Sequence, residues 1–145
     1  MPGRLAPRVF AADPYVRYVA VNQGGRITEM EQRKEWSSLN PTESDRMEEL
    51  IVNPIVIEAV TRRGNLDLNG VRSVIIRYGL LDEIVLPFQA GHVSIGVQQG
   101  GDLVRIAEKA AVVLADAETE PETEEPAEPA GIEHALRLAL PRGLH

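Results

Sequence analysis

Cysteine is absent from the 145-residue chain. Disulfides, thiol nucleophiles and thiolate metal ligands are therefore excluded, and the absence fits a reducing compartment. Aromatic residues make up only 4% of the sequence, with Trp36 the single tryptophan, so a core must be assembled from aliphatic side chains. No apolar run approaches the roughly 20 residues that a membrane helix requires, which argues against a membrane span. The opening MPGRLAPRVFAADP lacks the apolar segment of a signal peptide, so the chain reads as cytoplasmic. Its three prolines predict an extended arm over residues 1–14. Bases are missing between Leu114 and Gly131, where Asp116, Glu118, Glu120, Glu122, Glu124, Glu125 and Glu128 carry the whole formal charge of −7. A near-neutral body with an acidic tail lacks the clustered Lys and Arg that phosphate contacts need, and Arg62-Arg63 is too little to change that. Nucleic acid is thus not an expected partner.

What is present is one domain's worth of chain with 43% hydrophobic residues, long enough for a real core. In YVRYVAVNQGGRITEM (residues 15–30), two runs of β-formers flank a glycine turn. Val19 and Val21 share one face of the first strand, and Val16, Tyr18 and Ala20 share the other. The second strand is more polar, which suits a sheet edge or a solvated face. Asn40-Pro41-Thr42-Glu43 is a helix start signal. Met47, Leu50, Ile51 and Ile55 follow at helical spacing, with a kink or a restart expected at Asn53-Pro54 and an end near Gly64. Three strands come next, over 71–78 (VRSVIIRY), 83–88 (EIVLPF) and 92–98 (HVSIGVQ). Pro87 argues against a fully paired central position or marks a bulge. Asp102 is a natural cap for a last helix with Leu103, Ile106, Ala110, Val113 and Leu114 on its apolar face. Residues 115–131 predict a disordered acidic linker, and 132–145 a short C-terminal helical segment containing Leu136 and Leu140. The order β-β-α-β-β-β-α predicts an α+β sandwich, a five-stranded antiparallel sheet with helices packed on it.

Chemistry is hard to find. Gly24-Gly25 lies between two strands, so it reads as a hairpin turn and not a phosphate loop, and neither GxxxxGK[ST] nor GxGxxG occurs. Gly100-Gly101-Asp102 could hold an anion at a helix start, but Asp102 opposes that by its own charge. His92, His134 and His145 are too scattered for a metal site, and His92 reads as a turn residue at the surface. The serines lack a nucleophile-elbow context. Glu48-Glu49 and Asp82-Glu83 are adjacent in sequence and read as solvated surface charge. No catalytic residue, metal or cofactor is expected. The candidate interaction residues are Trp36, as an interface anchor or a cover for the core's edge, Val74, Ile75 and Ile76 on an apolar strand at a sheet edge, and Leu136 and Leu140 on the tethered terminal segment.

Over residues 15–114, Arg17-Tyr18-Val19-Ala20-Val21, Gly25, Ile84, Pro87, Gly91 and His92 stand where similar residues stand in the roadblock, or dynein light chain, family. The chain resembles that family, and more narrowly the roadblock-like proteins found widely in archaea. It departs in lacking a clear first helix before the hairpin and in adding the acidic linker and terminal segment. The resemblance implies a profilin-like sandwich and a non-enzymatic scaffold or regulator. Such a protein forms homodimers or heterodimers and often acts on small Ras-like GTPases. The competing expectation is a sensor that binds a small molecule between sheet and helices, with Arg17, Arg72 and Arg77 as its candidate polar groups.

Overall fold

The computed structural model describes residues 4–33 and 43–120. Its centre is one five-stranded antiparallel sheet: β1 (Val16–Gln23), β2 (Arg26–Gln32), β3 (Val74–Arg77), β4 (Asp82–Phe88) and β5 (Gly91–Val97), in the order β2-β1-β5-β4-β3. Gly24 and Gly25 close the first hairpin with φ of 63° and 84°, a region that glycine enters without steric cost. The polar β2 lies at one edge and the apolar β3 at the other, so the α+β sandwich expected from the pattern is the fold observed. Strand β3 is shorter than its propensity suggests, and its ladder ends at the pair Val74–Val85. Beyond that pair no described strand flanks β4 on its outer side, and there the chain accommodates Pro87, which cannot donate to a ladder.

The two faces of the sheet differ in kind. Val19, Val21, Ile84, Leu86, Phe88, Val93, Ile95 and Val97 form an apolar face. It is covered by α1 (Ala6–Phe10) and α4 (Leu103–Thr119) through Val9, Ile106, Ala110, Leu114 and Ala117. Val16 joins this cluster, against the alternation expected of it, because a bulge lies between Val16 and Tyr18. Asp102 caps α4 by accepting from the Arg105 N–H at 3.2 Å. The helix does not dissolve at Ala115. It runs to Thr119 with Ala117 buried, and Glu120 pairs with Arg8 at 2.9 Å.

The N-terminal arm is not extended between Ala6 and Phe10. Pro7 stands in the first turn of α1, where its missing N–H costs nothing. The Leu5 and Ala6 N–H groups donate to the two carboxylate oxygens of Glu29 at 2.9 and 2.8 Å. A cap supplied by a distant strand leaves no local signature, so this helix escapes a sequence reading. Arg33 fixes the loop after α1 by donating to the carbonyls of Phe10, Asp13 and Val16. No helix among the described residues is long and apolar enough to cross a membrane.

Candidate functional site

The other face of the sheet is covered by a single long helical element: α2 (Glu43–Met47), a π-helical turn (Glu48–Val52) and α3 (Asn53–Asp67). The break expected at Asn53-Pro54 is this widened turn. Pro54 has no N–H to return to Leu50, and the Asn53 N–H reaches instead to the Glu48 carbonyl, five residues back. The turn sets Glu49 and Asn53 beneath the helix, both fully buried. The sheet meets them with polar groups. Ser94 Oγ donates to Glu49 Oε1 at 2.6 Å, His92 Nε2 lies 2.9 Å from the same oxygen, and Tyr18 Oη donates to Oε2 at 3.2 Å. Asn22 Nδ2 donates to the Glu49 carbonyl at 2.9 Å. Asn53 Nδ2 reaches Ser94 Oγ at 2.9 Å and Glu83 Oε2 at 3.3 Å. His92 lies on the strand expected over 92–98 but is buried, 2% exposed, and not at the surface or in a turn. Glu49, Asp82 and Glu83 are likewise buried, against the expectation of solvated charge. A hydrogen-bonded seam, not an apolar core, joins this helix to the sheet.

Burial pushes the Glu83 carboxyl up to about 9, helped by its hydrogen bond to Glu48 and by the charges of Glu48 and Glu49, while Asn53 opposes the shift. Two carboxyls in hydrogen-bond contact need a proton between them, and a protonated Glu83 supplies it. Burial likewise holds the Tyr18 hydroxyl well above the ordinary phenol range, with Glu49 beside it adding to the effect.

Ser94, His92 and Glu49 have the composition of a hydrolytic triad but not its order. The carboxylate lies between the other two, so the histidine is not placed to take the serine proton. All three side chains are sealed from solvent, and a nucleophile must be within reach of a substrate. The seam is structural chemistry.

With Glu49 and Asn53 turned inward, the helix presents four apolar residues to solvent, Met47, Leu50, Ile51 and Ile55, which are 51%, 41%, 53% and 63% exposed, while Val52, Val56, Ile57 and Val60 are half-buried. Their helical spacing pointed to a contact face, and that face looks away from the sheet. Tyr78 Oη donates to Glu48 Oε2 at 2.8 Å, so the end of β3 and the π-turn adjoin.

No family model matches the chain, and no curated protein matches it in sequence. Solved structures do match. A Roadblock/LC7 domain from Streptomyces avermitilis superposes with a TM-score of 0.60 at 13% identity, over 79% of this chain and 92% of that one. The gliding protein MglB from Thermus thermophilus gives 0.51 at 11% identity, over 78% and 87%. MglB in a tetrameric arrangement gives 0.50 at 14%, over 81% and 95%. The chain has the roadblock fold.

Within this roadblock fold, Val74, Ile75 and Ile76 lie on the edge strand, with Ile75 exposed and its neighbours half-buried. Trp36, Leu136 and Leu140, also singled out in the sequence, fall outside the described residues. So do the helix start at 40–42 and the segment 121–145. Of the candidate sensor groups, Arg77 pairs with Asp82 at 3.4 Å and Arg72 is exposed at the roadblock edge; Arg17 lies on β1, between the two bulge residues. The seam residues Tyr18, Glu49, Asn53, Glu83, His92 and Ser94 were missed. One signal was available. Glu49 and Asn53 are four apart, and His92, Ser94 and Gly96 alternate opposite the apolar face of a central strand, so a polar stripe had to be buried somewhere.

Proposed function

We propose that the chain is a non-enzymatic, homodimeric roadblock-type module that scaffolds or regulates a partner protein. A small Ras-like GTPase is the partner class implied by the resemblance. One observation carries the reading: an exposed apolar helix face together with an apolar strand edge that no described strand covers. Edge backbone groups template pairing with another strand, and four exposed aliphatic side chains on one stripe favour burial against a second surface. Oligomer formation is supported by the tetrameric arrangement of MglB, a protein of the same fold. The sensor reading has less support: beneath the π-turn the space is filled by the side chains of the seam, and the groove beside β3 that Arg72 lines is walled mainly by aliphatic side chains.

Sedimentation of the purified chain at tens of micromolar should show a dimer. Ile51→Asp places a charge in the helix face, and Ile75→Pro removes an edge N–H; each should weaken association at least about tenfold, equivalent to about 1.4 kcal/mol. A monomer at high micromolar concentration overturns the dimer. Turnover of GTP by the chain alone, abolished by one point change, overturns the non-enzymatic reading.

A further inference from the structure

A second apolar feature lies on the other side of the β3 edge. A groove of about 660 Å³ runs between the C-terminal half of α3 and the N-terminal half of α4, lined by Val60, Leu68, Val71, Ile75, Val104 and Ala107, with Ala111 at one end. Leu68 and Val104 are 61% exposed each, so its walls lack a cover among the described residues. Arg63, Arg72 and Glu108 also line it, and Arg63 is paired with Asp67 at 2.5 Å.

We propose that residues 132–140 of the same chain dock in this groove. The occupant is argued from sequence, reach and charge. In IEHALRLAL, helical spacing puts Ile132, Leu136 and Leu140, with Ala135 and Ala139, on one stripe, and Glu133 and Arg137 outside it. Such a stripe matches a groove walled by aliphatic side chains and helices. The starting point is the end of α4 at Thr119. At 1.5 Å per residue, Ala111 lies about 12 Å and Val104 about 22 Å back along that helix. Residues 121–131 intervene; three prolines and four glutamates favour an extended tether. As a polyproline helix it spans about 34 Å, enough to turn back along α4. The tether covers the distance, so docking is an intramolecular event at an effective concentration far above that of a free peptide. A weak groove is then enough. The intervening Glu122, Glu124, Glu125 and Glu128 complement Arg72 in the lining. Ile75 is shared with the pairing edge, so docking and pairing compete there, but the docking proposal does not depend on the dimer.

Because the chain has no cysteine, Arg137→Cys gives one site for a nitroxide label on the polar side of the segment. The ¹⁵N chain carrying the label, diluted in excess unlabelled chain, reports contacts within one molecule. Amide signals of Val71, Ser73, Val104 and Ala107 should fall severalfold relative to those of β2 and recover when the nitroxide is reduced. Adding Leu136→Asp should restore them. So should Val104→Asp, an exposed position in the first turn of α4 where an acid suits the helix dipole and the fold is kept. Uniform signals overturn the proposal. So does broadening centred on Met47–Ile55, or broadening seen only when labelled ¹⁴N chain is mixed with unlabelled ¹⁵N chain, which would make a second copy's segment the occupant. Sedimentation of the same samples reads the dimer separately, so either proposal can fail alone.

Discussion

Glu83 holds a proton that the unfolded chain would release. Its carboxyl titrates at about 9 in the fold against 4.5 ordinarily, through burial first and then the Glu48 carboxyl it meets. The sign follows from linkage. Below about 4.5 both states are protonated and the contribution to stability is fully present. As pH rises the unfolded chain ionises first, so stability falls until the folded state also loses its proton near 9. The slope from this one group is at most about 1.4 kcal/mol per pH unit. Glu83→Gln keeps an acceptor for Asn53 and removes the titration. Thermal melts should show the variant more stable than the parent at pH 8, with the difference shrinking toward pH 4.5. Parallel midpoints across that range would mean that the carboxyl is ionised in the fold.

At the scale of the element, α3 is shaped by what it cannot be. Pro54 forces the wide turn that buries Glu49 and Asn53, and Gly64 sets where the helix meets the following loop. The Gly64 carbonyl accepts from Leu68 and Gly70 at 2.9 and 3.1 Å. A Cβ on Gly64 would lie 2.6 Å from the Gly70 carbonyl oxygen. Intrinsic propensity favours alanine over glycine in a helix by about 1 kcal/mol. The contact is with backbone, which cannot swing aside, so the clash wins. Gly64→Ala should lower the thermal midpoint, and a raised midpoint would show that the 64–70 loop relaxes freely. The glycine was read from sequence as the end of the helix. It lies inside it, because α3 continues to Asp67 and only the close approach of the chain after it requires a missing side chain.

The whole molecule is a sheet with two unlike attachments. Helices α1 and α4 bury aliphatic side chains, a contribution of roughly 1.5–3 kcal/mol for each large one. The α2–α3 element is held mainly by hydrogen bonds, whose net contribution is about 1 kcal/mol each, and it leaves Met47, Leu50, Ile51 and Ile55 outside. The second layer should open first. Native-state hydrogen exchange on the isolated chain should give a lower opening free energy for amides of residues 48–60 than for those of 106–114, and a larger drop between pH 6 and pH 9 once intrinsic exchange rates are allowed for, since opening releases the Glu83 proton over that range. Equal protection of both layers would mean that the seam is as strong as the core. If the helix face is covered in a dimer, Ile51→Asp should widen the gap.

Local pattern alone determined the strands, their hairpin turns, the capped start of α4 and the break at Asn53-Pro54. Each depends on neighbours within a few residues: alternation, a glycine, a proline, an aspartate before a helix. The residues matched to the roadblock family were strand and turn residues, and the fold they implied is the one observed. Tertiary structure alone decided what lies inside. Met47, Leu50, Ile51 and Ile55 have the spacing of a core-facing stripe, while Glu48-Glu49 and Asp82-Glu83 look like surface charge. Periodicity states that a helix has two faces, but not which one meets the sheet. That choice was made by Tyr18, Asn22, Glu83, His92 and Ser94, which reach the sheet's second face from three strands and offer hydrogen bonds that only a polar helix face can complete. Burying the aliphatic face there would have left those groups unpaired, at a cost of about 1–3 kcal/mol each, so the polar face turned inward and the apolar one was left for another surface.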